Sequence, residues 1–322
     1  MWTAVLPDQD HALGLLAISL LATGYRFTAP SPETARRVNA RGHNAQASDV
    51  TGVFGWSRPF RPDALPPRIF QLAAEAGALE RQGDFWQSRY RVSTLAGMSF
   101  LHSAYPTLAP DSVFFGPDTY RFARALDRVM GNLPTPVRAA DIGCGAGVGG
   151  MLVARAFPEA DVSLTDINPA ALRLARINAD AAGLAHVRTV QSDLLSGLAG
   201  PFDLIVSNPP YMADAAGRAY RDGGGLLGEG LSLRIVNEAT RRLAPGGTLL
   251  LYTGAAIIEG ENPLLDQAGE LLTEAGLTWQ SEEIDPDVFG EELEAAGAMS
   301  VADRIAVIWL TATKPMTGDN HA

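Results

Sequence analysis

The sequence predicts an α/β fold with a parallel sheet, preceded by a smaller, mostly helical domain. From residue 137 onward, short apolar runs of strand type alternate with helical runs, a pattern typical of parallel sheets. A chain of 322 residues with 47% hydrophobic content can bury a large core and predicts more than one domain. We place the domain boundaries at 1–110 for the helical domain and 111–314 for the α/β domain, with a disordered tail at 315–322.

The first 110 residues predict helices followed by a small hairpin. The apolar run 12–21 is too short to span a bilayer, so we expect a buried helix and no membrane association. A second helix is expected to start at Ser31, and a third is expected over 65–79. Residues 79–92 read as strand, polar turn and strand. This arrangement resembles a winged helix, a module that docks proteins or nucleic acids, and residues 104–110 form the expected linker.

Composition and charge narrow the class of function. The single cysteine, Cys144, excludes a disulfide framework and a cysteine-based zinc site, and it fits a reducing cytoplasm. Residues 1–110 hold 10 Arg against 8 Asp and Glu, a net charge of +2. The remainder has a net charge of −13, which gives the total of −11. Such an acidic α/β domain repels a phosphate backbone, which argues against a nucleic-acid substrate. A basic patch on the first domain would still allow RNA binding.

A glycine-rich turn joins the predicted strand 137–142 to the predicted helix 148–157. Glycines let a ligand approach the backbone closely, and a helix N-terminus is electropositive. Gly145, Gly147 and Gly150 satisfy the G-x-G-x-x-G pattern of dinucleotide-binding proteins, so a nicotinamide-dependent oxidoreductase is one alternative. Asp141, however, would repel a pyrophosphate and attract an ammonium or sulfonium group.

Two further strands are expected to end in an acid. Asp166 follows strand 161–165, about two dozen residues after the glycines, where an acid typically binds ribose hydroxyls. Asp193 follows strand 187–191 and is suited to accept a hydrogen bond from an adenine amine. We place the turn at 113–120 over the cofactor, with Asp118 or Thr119 capping the helix that follows.

The strand 202–207 ends in Asn208-Pro209-Pro210-Tyr211. Two prolines cannot donate to a sheet ladder, so the strand must stop there, at the edge where α/β sheets bind ligands. The Asn208 side-chain oxygen beside a rigid carbonyl offers two acceptors for a planar NH2 group, and Tyr211 is placed against its flat face. The glycine-rich stretch 212–230 is expected to be a mobile loop over the substrate. The remaining predicted elements are a helix at 231–243, a strand at 248–253, a helix at 263–275 and strands at 277–284 and 304–311.

The segment 111–314 resembles the class I AdoMet-dependent methyltransferases, which have a Rossmann-like seven-stranded sheet with helices on both faces. Within that class it resembles the HemK/PrmC-type protein glutamine N5-methyltransferases, which act on peptide-chain release factors. The closer likeness rests on Gly116-Pro117-Asp118-Thr119, Asp166-Ile167-Asn168-Pro169-Ala170-Ala171-Leu172, Val206-Ser207-Asn208-Pro209-Pro210-Tyr211 and Asp222-Gly223-Gly224-Gly225-Leu226.

This resemblance implies S-adenosyl-L-methionine as cofactor, no metal, and a cytoplasmic enzyme with a protein substrate. It implies Asn208, Pro209 and Tyr211 as catalytic residues. The cofactor-binding residues that it implies are Phe115, Thr119, Asp141, Gly143, Cys144, Gly145, Gly147, Asp166, Ile167, Asp193, Leu194 and Asn208.

Two departures from the family pattern keep other acceptors open. Leu251-Tyr252-Thr253-Gly254 stands where related enzymes usually carry a glutamate, with Tyr252 as the replacement, and the first domain differs from the usual helical bundle. Exocyclic amines of RNA or DNA bases also present a planar NH2 group, as do some small molecules. A non-catalytic docking module of the same fold is a further alternative.

Overall fold

The computed structural model describes residues 8–212, 220–293 and 298–316. Its contacts divide the chain into two units. The first comprises residues 1–121 with 145–148 and 170–186, and the second comprises 122–144, 149–169 and 187–322. Of the loop predicted at 212–230, residues 213–219 lie outside the described residues, as do residues 317–322 of the predicted tail.

Within the described residues 8–103, the first unit has four α-helices followed by two hairpins. The helices are α1 (Asp8–Ala22), α2 (Pro32–Asn39), α3 (Val50–Phe54) and α4 (Pro67–Glu75). Helix α2 starts as expected, because the Ser31 side chain accepts a hydrogen bond from the Thr34 N–H. The antiparallel hairpins are β1 (Leu79–Gln82) with β2 (Phe85–Ser88), and β3 (Tyr90–Leu95) with β4 (Met98–Ser103).

The second hairpin was not predicted from the sequence. Its strands are joined by Ala96 and Gly97, which both have positive φ angles of 51° and 79°. Such a two-residue turn usually carries Asn-Gly or Asp-Gly, and an alanine at its first position hides the signal. Residues 90–92, expected in the first hairpin, therefore belong to the second.

The next helix, α5, spans Pro117–Met130. It begins three residues earlier than the predicted start at residue 120. Asp118 and Thr119 consequently lie in its first turn, and the expectation that either of them caps the helix is wrong. Proline suits the first helical position because its missing N–H has no intrahelical acceptor there.

The second unit is built on a seven-stranded mixed sheet. Its strands are β5 (Arg138–Ile142), β6 (Asp161–Asp166), β7 (Arg188–Gln191), β8 (Phe202–Ser207), β9 (Leu243–Ile257), β10 (Thr278–Asp285) and β11 (Arg304–Thr313). The strand order is β10-β11-β9-β8-β5-β6-β7. Strands β5 to β9 pair in parallel, and β11 is antiparallel to both of its neighbours. The α/β fold with a seven-stranded sheet is therefore confirmed.

Four helices follow strands of this sheet in the sequence: α6 (Val148–Ala156), α7 (Pro169–Ala181), α8 (Gly230–Arg242) and α9 (Pro263–Glu274). Fully buried apolar side chains of α8, α9, β8 and β9 form one core cluster that includes Ile235, Leu272, Ile205 and Leu249. Their burial removes the apolar face of each helix from water, which is the main favourable contribution to folding.

The strand order reverses at β5, which lies between β6 and β8. In register, Ile142 at the end of β5 is opposite Thr165 on one side and Ser207 on the other. The end of β6 is aligned with the end of β7, where Asp166 is opposite Gln191. The carboxyl ends of four parallel strands therefore meet at one edge, next to the switch point where open α/β sheets bind ligands.

Within the described residues, no helix is both long and apolar enough to cross a membrane. The same ranges contain no group of three or more His, Cys, Asp or Glu residues that could hold a metal ion.

Candidate functional site

Asp141 lies at the end of β5 and is only 2% exposed. Its Oδ2 accepts a hydrogen bond of 2.8 Å from the N–H of Gly150, in the first turn of α6. Burial raises the pKa of Asp141 to about 7, the Gly150 hydrogen bond opposes that rise, and the charge of Asp166 adds to it. A carboxylate buried in this way is stabilised in its charged form by a cationic group of a ligand.

The last two glycines of the turn allow α6 to pack directly on the sheet. A Cβ added at Gly150 would overlap Leu164 of β6, and one added at Gly149 would lie 2.9 Å from Asp141 Oδ2. Close helix–strand packing is the role of the last glycine in G-x-G-x-x-G turns. These glycines therefore hold the N-terminus of α6 against the carboxylate.

Gly143 and Cys144 continue the turn from β5. Gly143 has a φ of 66°, is exposed, and has open space where a Cβ would lie. Cys144 is buried, its N–H donates to the Thr165 carbonyl at 2.9 Å, and burial raises the pKa of its thiol well above the usual value. The thiol is therefore not a nucleophile here. Gly143 instead leaves a stretch of backbone open to a ligand.

Asp166 lies at the end of β6, one strand away from Asp141. Its Oδ1 accepts a hydrogen bond of 2.9 Å from the Asn168 N–H, an arrangement that aims the carboxylate along the turn before α7. The following residue, Ile167, is 56% exposed. The ribose contact of Asp166 and the cofactor-binding role of Ile167 stay predictions.

Asp193 has a partner that the sequence did not indicate. Both of its carboxylate oxygens accept hydrogen bonds from Arg234 Nη2 of α8, at 2.7 and 2.8 Å. The pair is exposed to solvent, so its contribution to stability is small. Leu194 adopts a φ of 52° and packs against the core cluster. The adenine contact of Asp193 and Leu194 stays a prediction.

The Asn208-Pro209-Pro210-Tyr211 stretch follows β8 directly. Ser207 is fully buried and donates a hydrogen bond of 2.7 Å to the Ile142 carbonyl, which ties the end of β8 to the end of β5. Asn208 is half-buried and Pro209 is buried. The tie places the backbone before Asn208 beside the strand that carries Asp141.

The Tyr211 ring packs against Gly254 of β9. An added Cβ at Gly254 would overlap two ring atoms, Cδ2 and Cε2, and would lie 3.0 Å from Cγ. Tyr211 is 6% exposed, so its ring has little surface left for a substrate amide. Tyr252, the residue in place of the usual glutamate, is completely buried and contacts Phe122 edge-on at 6.1 Å. A glycine inside a strand, such as Gly254, signals the close approach of another group, although the sequence does not say which group.

The glycine stretch after residue 221 packs on the backbone of the same motif. The Met212 N–H donates to the Arg221 carbonyl at 3.1 Å, and the Gly223 N–H donates to the Met212 carbonyl at 2.8 Å. A Cβ at Gly223 would lie 2.8 Å from Tyr211 Cα, and one at Gly228 would overlap the Tyr211 carbonyl. Gly223 and Gly228 are required for this contact, because a side chain at either position would overlap the backbone.

Four of the predicted cofactor residues belong to the first unit. Phe115 is 2% exposed and stacks on His102 at 5.0 Å, so its ring has almost no surface for a ligand. Thr119 Oγ1 accepts a hydrogen bond of 3.3 Å from the Gly116 N–H. Gly145 and Gly147 have φ angles of 52° and 88°, as expected for the turn. The roles of these four residues in cofactor binding stay predictions.

Asn178 of α7 is a residue that the sequence analysis missed. It is fully buried in the first unit and pairs with the backbone of Leu101, accepting from its N–H at 2.8 Å and donating to its carbonyl at 3.1 Å. It also donates to the Ala146 carbonyl of the glycine turn at 3.0 Å. A buried asparagine that fills three hydrogen bonds stabilises the turn in one conformation. The sequence signal for this role is an asparagine among the apolar residues on the buried face of α7.

The residues of the second unit fit an adenosyl cofactor with a sulfonium centre. They combine a buried carboxylate at the switch point, open backbone at Gly143 and a second acid at the end of β6. A dinucleotide would place a pyrophosphate beside Asp141, which carries like charge. The site therefore favours AdoMet over a nicotinamide cofactor.

Comparison with known proteins identifies related methyltransferases. Residues 123–257 match the family model described as the methyltransferase small domain. A release factor glutamine methyltransferase of Bradyrhizobium diazoefficiens is 31% identical over 76% of this chain and 93% of the relative. The enzyme of that name from Deinococcus radiodurans is 43% identical over 48% of this chain and 55% of its own length. A ribosomal RNA small subunit methyltransferase C of Pasteurella multocida is 34% identical over 44% of this chain and 40% of the relative.

The chain thus spans 55% of the Deinococcus protein and 40% of the Pasteurella protein, whereas it spans 93% of the Bradyrhizobium protein. The chain belongs to the release factor glutamine methyltransferase family, within the class I AdoMet-dependent methyltransferases.

Proposed function

We propose that this AdoMet-dependent enzyme methylates the side-chain amide nitrogen of a glutamine in a protein of the release factor type. The observation that carries the proposal is the position of Asn208 and Pro209. They follow directly on the end of β8, which Ser207 ties to the strand bearing Asp141. Two acceptors of fixed spacing at that point suit a planar NH2 group.

A glutamine amide is a poor nucleophile because its nitrogen lone pair is delocalised into the carbonyl. When bound, AdoMet supplies a methyl group already activated on a sulfonium. The chain's own contribution is to orient the amide: the Asn208 side-chain oxygen and the Pro209 carbonyl each accept one of its hydrogens. Both acceptors also stabilise the positive charge that develops on nitrogen, and one of the two amide hydrogens leaves as a proton when the new N–C bond has formed.

The charge around the site supports a protein acceptor over a nucleic acid. The segment 282–292 lies near the site because the ring of its Phe289 contacts Tyr211. It holds six acidic residues and no basic one. The acids are Glu282, Glu283, Asp285, Asp287, Glu291 and Glu292. Glu282, Glu283 and Glu292 form ion pairs with Arg128, Arg304 and Arg221, so the local excess of negative charge is smaller than six. The remaining excess repels phosphate groups and attracts basic side chains of a protein. The relatives named for release factors agree with such an acceptor, and we propose a docking role for residues 1–110 and a cytoplasmic location.

The test is methyl transfer from labelled AdoMet to a purified bacterial release factor and to a fractionated cell extract. We expect label on a glutamine of the release factor, removed from the extract by protease and not by nuclease. Label removed by nuclease would contradict the proposal and favour a base amine of a nucleic acid; the Pasteurella relative is named for ribosomal RNA. Label only in the small-molecule fraction would contradict it equally.

The variant Asn208→Ala connects the reaction to the motif. We expect kcat to fall by about 10²-fold, as for the loss of one preorganised group at a reacting centre, with little change in AdoMet affinity. Asn237→Ala, on the exposed side of α8, is the matched control and should keep full activity. An unchanged kcat in Asn208→Ala would refute the assignment of Asn208.

A further inference from the structure

Phe289 has a backbone conformation that a bulky residue rarely adopts. Its φ angle is 55°, in the left-handed region. The chain holds this conformation from both sides, since the Val288 N–H donates to the Ile305 carbonyl at 2.9 Å and the Glu292 N–H donates to the Phe289 carbonyl at 2.8 Å. Strained residues of this kind persist where the surroundings over-determine them, and they concentrate at functional sites.

The strained backbone places the Phe289 ring on Tyr211. The ring centroids are 6.1 Å apart and the planes are inclined by 64°, an edge-to-face contact. Tyr211 is 6% exposed and backed by Gly254, whereas the Phe289 ring is only half-buried. Of the two rings, that of Phe289 therefore keeps exposed surface for a ligand, and the buried Tyr211 ring packs against it.

An ion pair connects the same segment to the chain that follows the Asn-Pro-Pro-Tyr motif. Arg221 Nη2 contacts Glu292 Oε1, and both side chains are about three quarters buried, with 24% and 26% exposure. The Arg221 carbonyl in turn accepts the hydrogen bond from the Met212 N–H. The segment carrying Phe289 is thus held to the motif at two points, by the ring contact and by this pair.

We propose that Phe289 contacts the methyl acceptor: its half-exposed ring is the apolar face against which the methylene stem and amide plane of the acceptor glutamine pack. This inference rests on the proposed function and names a residue that the motif does not contain. The Phe289 ring packs on Tyr211, three residues after Asn208 in the motif, and an aromatic face near that motif matches a glutamine side chain, which is apolar along its stem and planar at its end. Core packing alone does not require a half-exposed ring on a strained backbone.

The experiment separates the ring from the strain. Phe289→Ala removes the ring and keeps the left-handed strain, Phe289→Gly removes both, and Phe289→Tyr keeps the ring. Glu259→Gly relieves the same kind of strain at another exposed residue, whose φ is 52°. For each variant, the KM for the purified release factor, kcat, AdoMet affinity and the unfolding midpoint are measured.

We expect Phe289→Ala and Phe289→Gly to raise the acceptor KM by about tenfold, the value of a well-placed aromatic contact. Phe289→Tyr and Glu259→Gly should keep the KM of the parent enzyme, and AdoMet affinity should not change in any variant. A parental KM in Phe289→Ala, or a KM restored in Phe289→Gly, would overturn the inference while leaving the proposed function intact. If the parent enzyme labels a nucleic acid or small molecule instead, the proposed function fails and the inferred glutamine contact fails with it.

Discussion

Replacing Gly254 by alanine adds one methyl group at the back of the Tyr211 ring. The added Cβ would overlap Cδ2 and Cε2 of the ring and lie 3.0 Å from Cγ. Ordinary carbon–carbon contacts are about 3.5–4.0 Å, so the ring must move by roughly 1 Å. Gly254 has no left-handed φ, and the alanine itself therefore introduces no backbone strain.

The displaced ring should affect stability and activity differently. Overpacking of this size costs about 1–3 kcal/mol of the free energy of unfolding. A shift of about 1 Å next to the reacting group can cost about 10²-fold in rate. We therefore expect kcat/KM for the acceptor to fall by far more than the fraction of unfolded enzyme explains, with AdoMet affinity retained.

The assay combines steady-state methyl transfer, AdoMet titration and urea unfolding. Gly269→Ala is the matched control, because its Cβ would lie 2.5 Å from the Trp279 ring, between α9 and β10. Trp279 is 38% exposed and can move aside, so this variant should keep its activity. If the alanine Cβ destabilises the protein by displacing the Tyr211 ring, adding Tyr211→Leu to Gly254→Ala should recover part of the lost stability. Parental kcat/KM in Gly254→Ala would refute the reasoning that the ring position controls the acceptor.

Two further predictions concern the cofactor turn. AdoMet should bind more tightly as the pH rises through about 7, because burial raises the pKa of Asp141 to about 7 and only the ionised carboxylate attracts a sulfonium. The raised pKa also affects the free energy of unfolding. Between the usual pKa of an aspartate and about 7, Asp141 binds more protons in the folded state than in the unfolded state. Its contribution to stability therefore falls as the pH rises through this range. Calorimetric titration across this range checks the affinity, and Asp141→Asn should bind weakly with a flat profile; a steep profile in that variant would assign the dependence to another group. Asn178→Leu should lower the free energy of unfolding by about 2–5 kcal/mol, since it leaves buried backbone groups of Leu101 and Ala146 without partners. Urea unfolding measures the loss, and a stability within about 0.5 kcal/mol of the parent would show that water or other groups replace the asparagine.

Much of the second unit was predictable because its signals are local. The alternation of apolar runs from residue 137 predicted the strands and helices, and the turn residues set most boundaries to within a few positions. An acid at the end of β5 and another at the end of β6 were expected to meet because parallel strands end at the same edge, and the register aligns those strand ends. Asn208 and Pro209 were placed by the same argument.

Contacts between distant segments were decided only by the tertiary structure. The pairing of Asp193 with Arg234, the seat of the Tyr211 ring on Gly254 and the approach of Phe289 join residues 41 to 78 positions apart. No periodicity encodes such pairs, because each depends on how strands and loops pack after the sheet has formed. The second hairpin was missed for a different reason, since Ala96-Gly97 adopts a turn whose usual residues are absent. The sequence by itself determined the fold class and predicted the cofactor and the Asn-Pro-Pro-Tyr motif, because these signals are local. Packing decided that the Tyr211 ring is buried on Gly254 while Phe289 stays half-exposed.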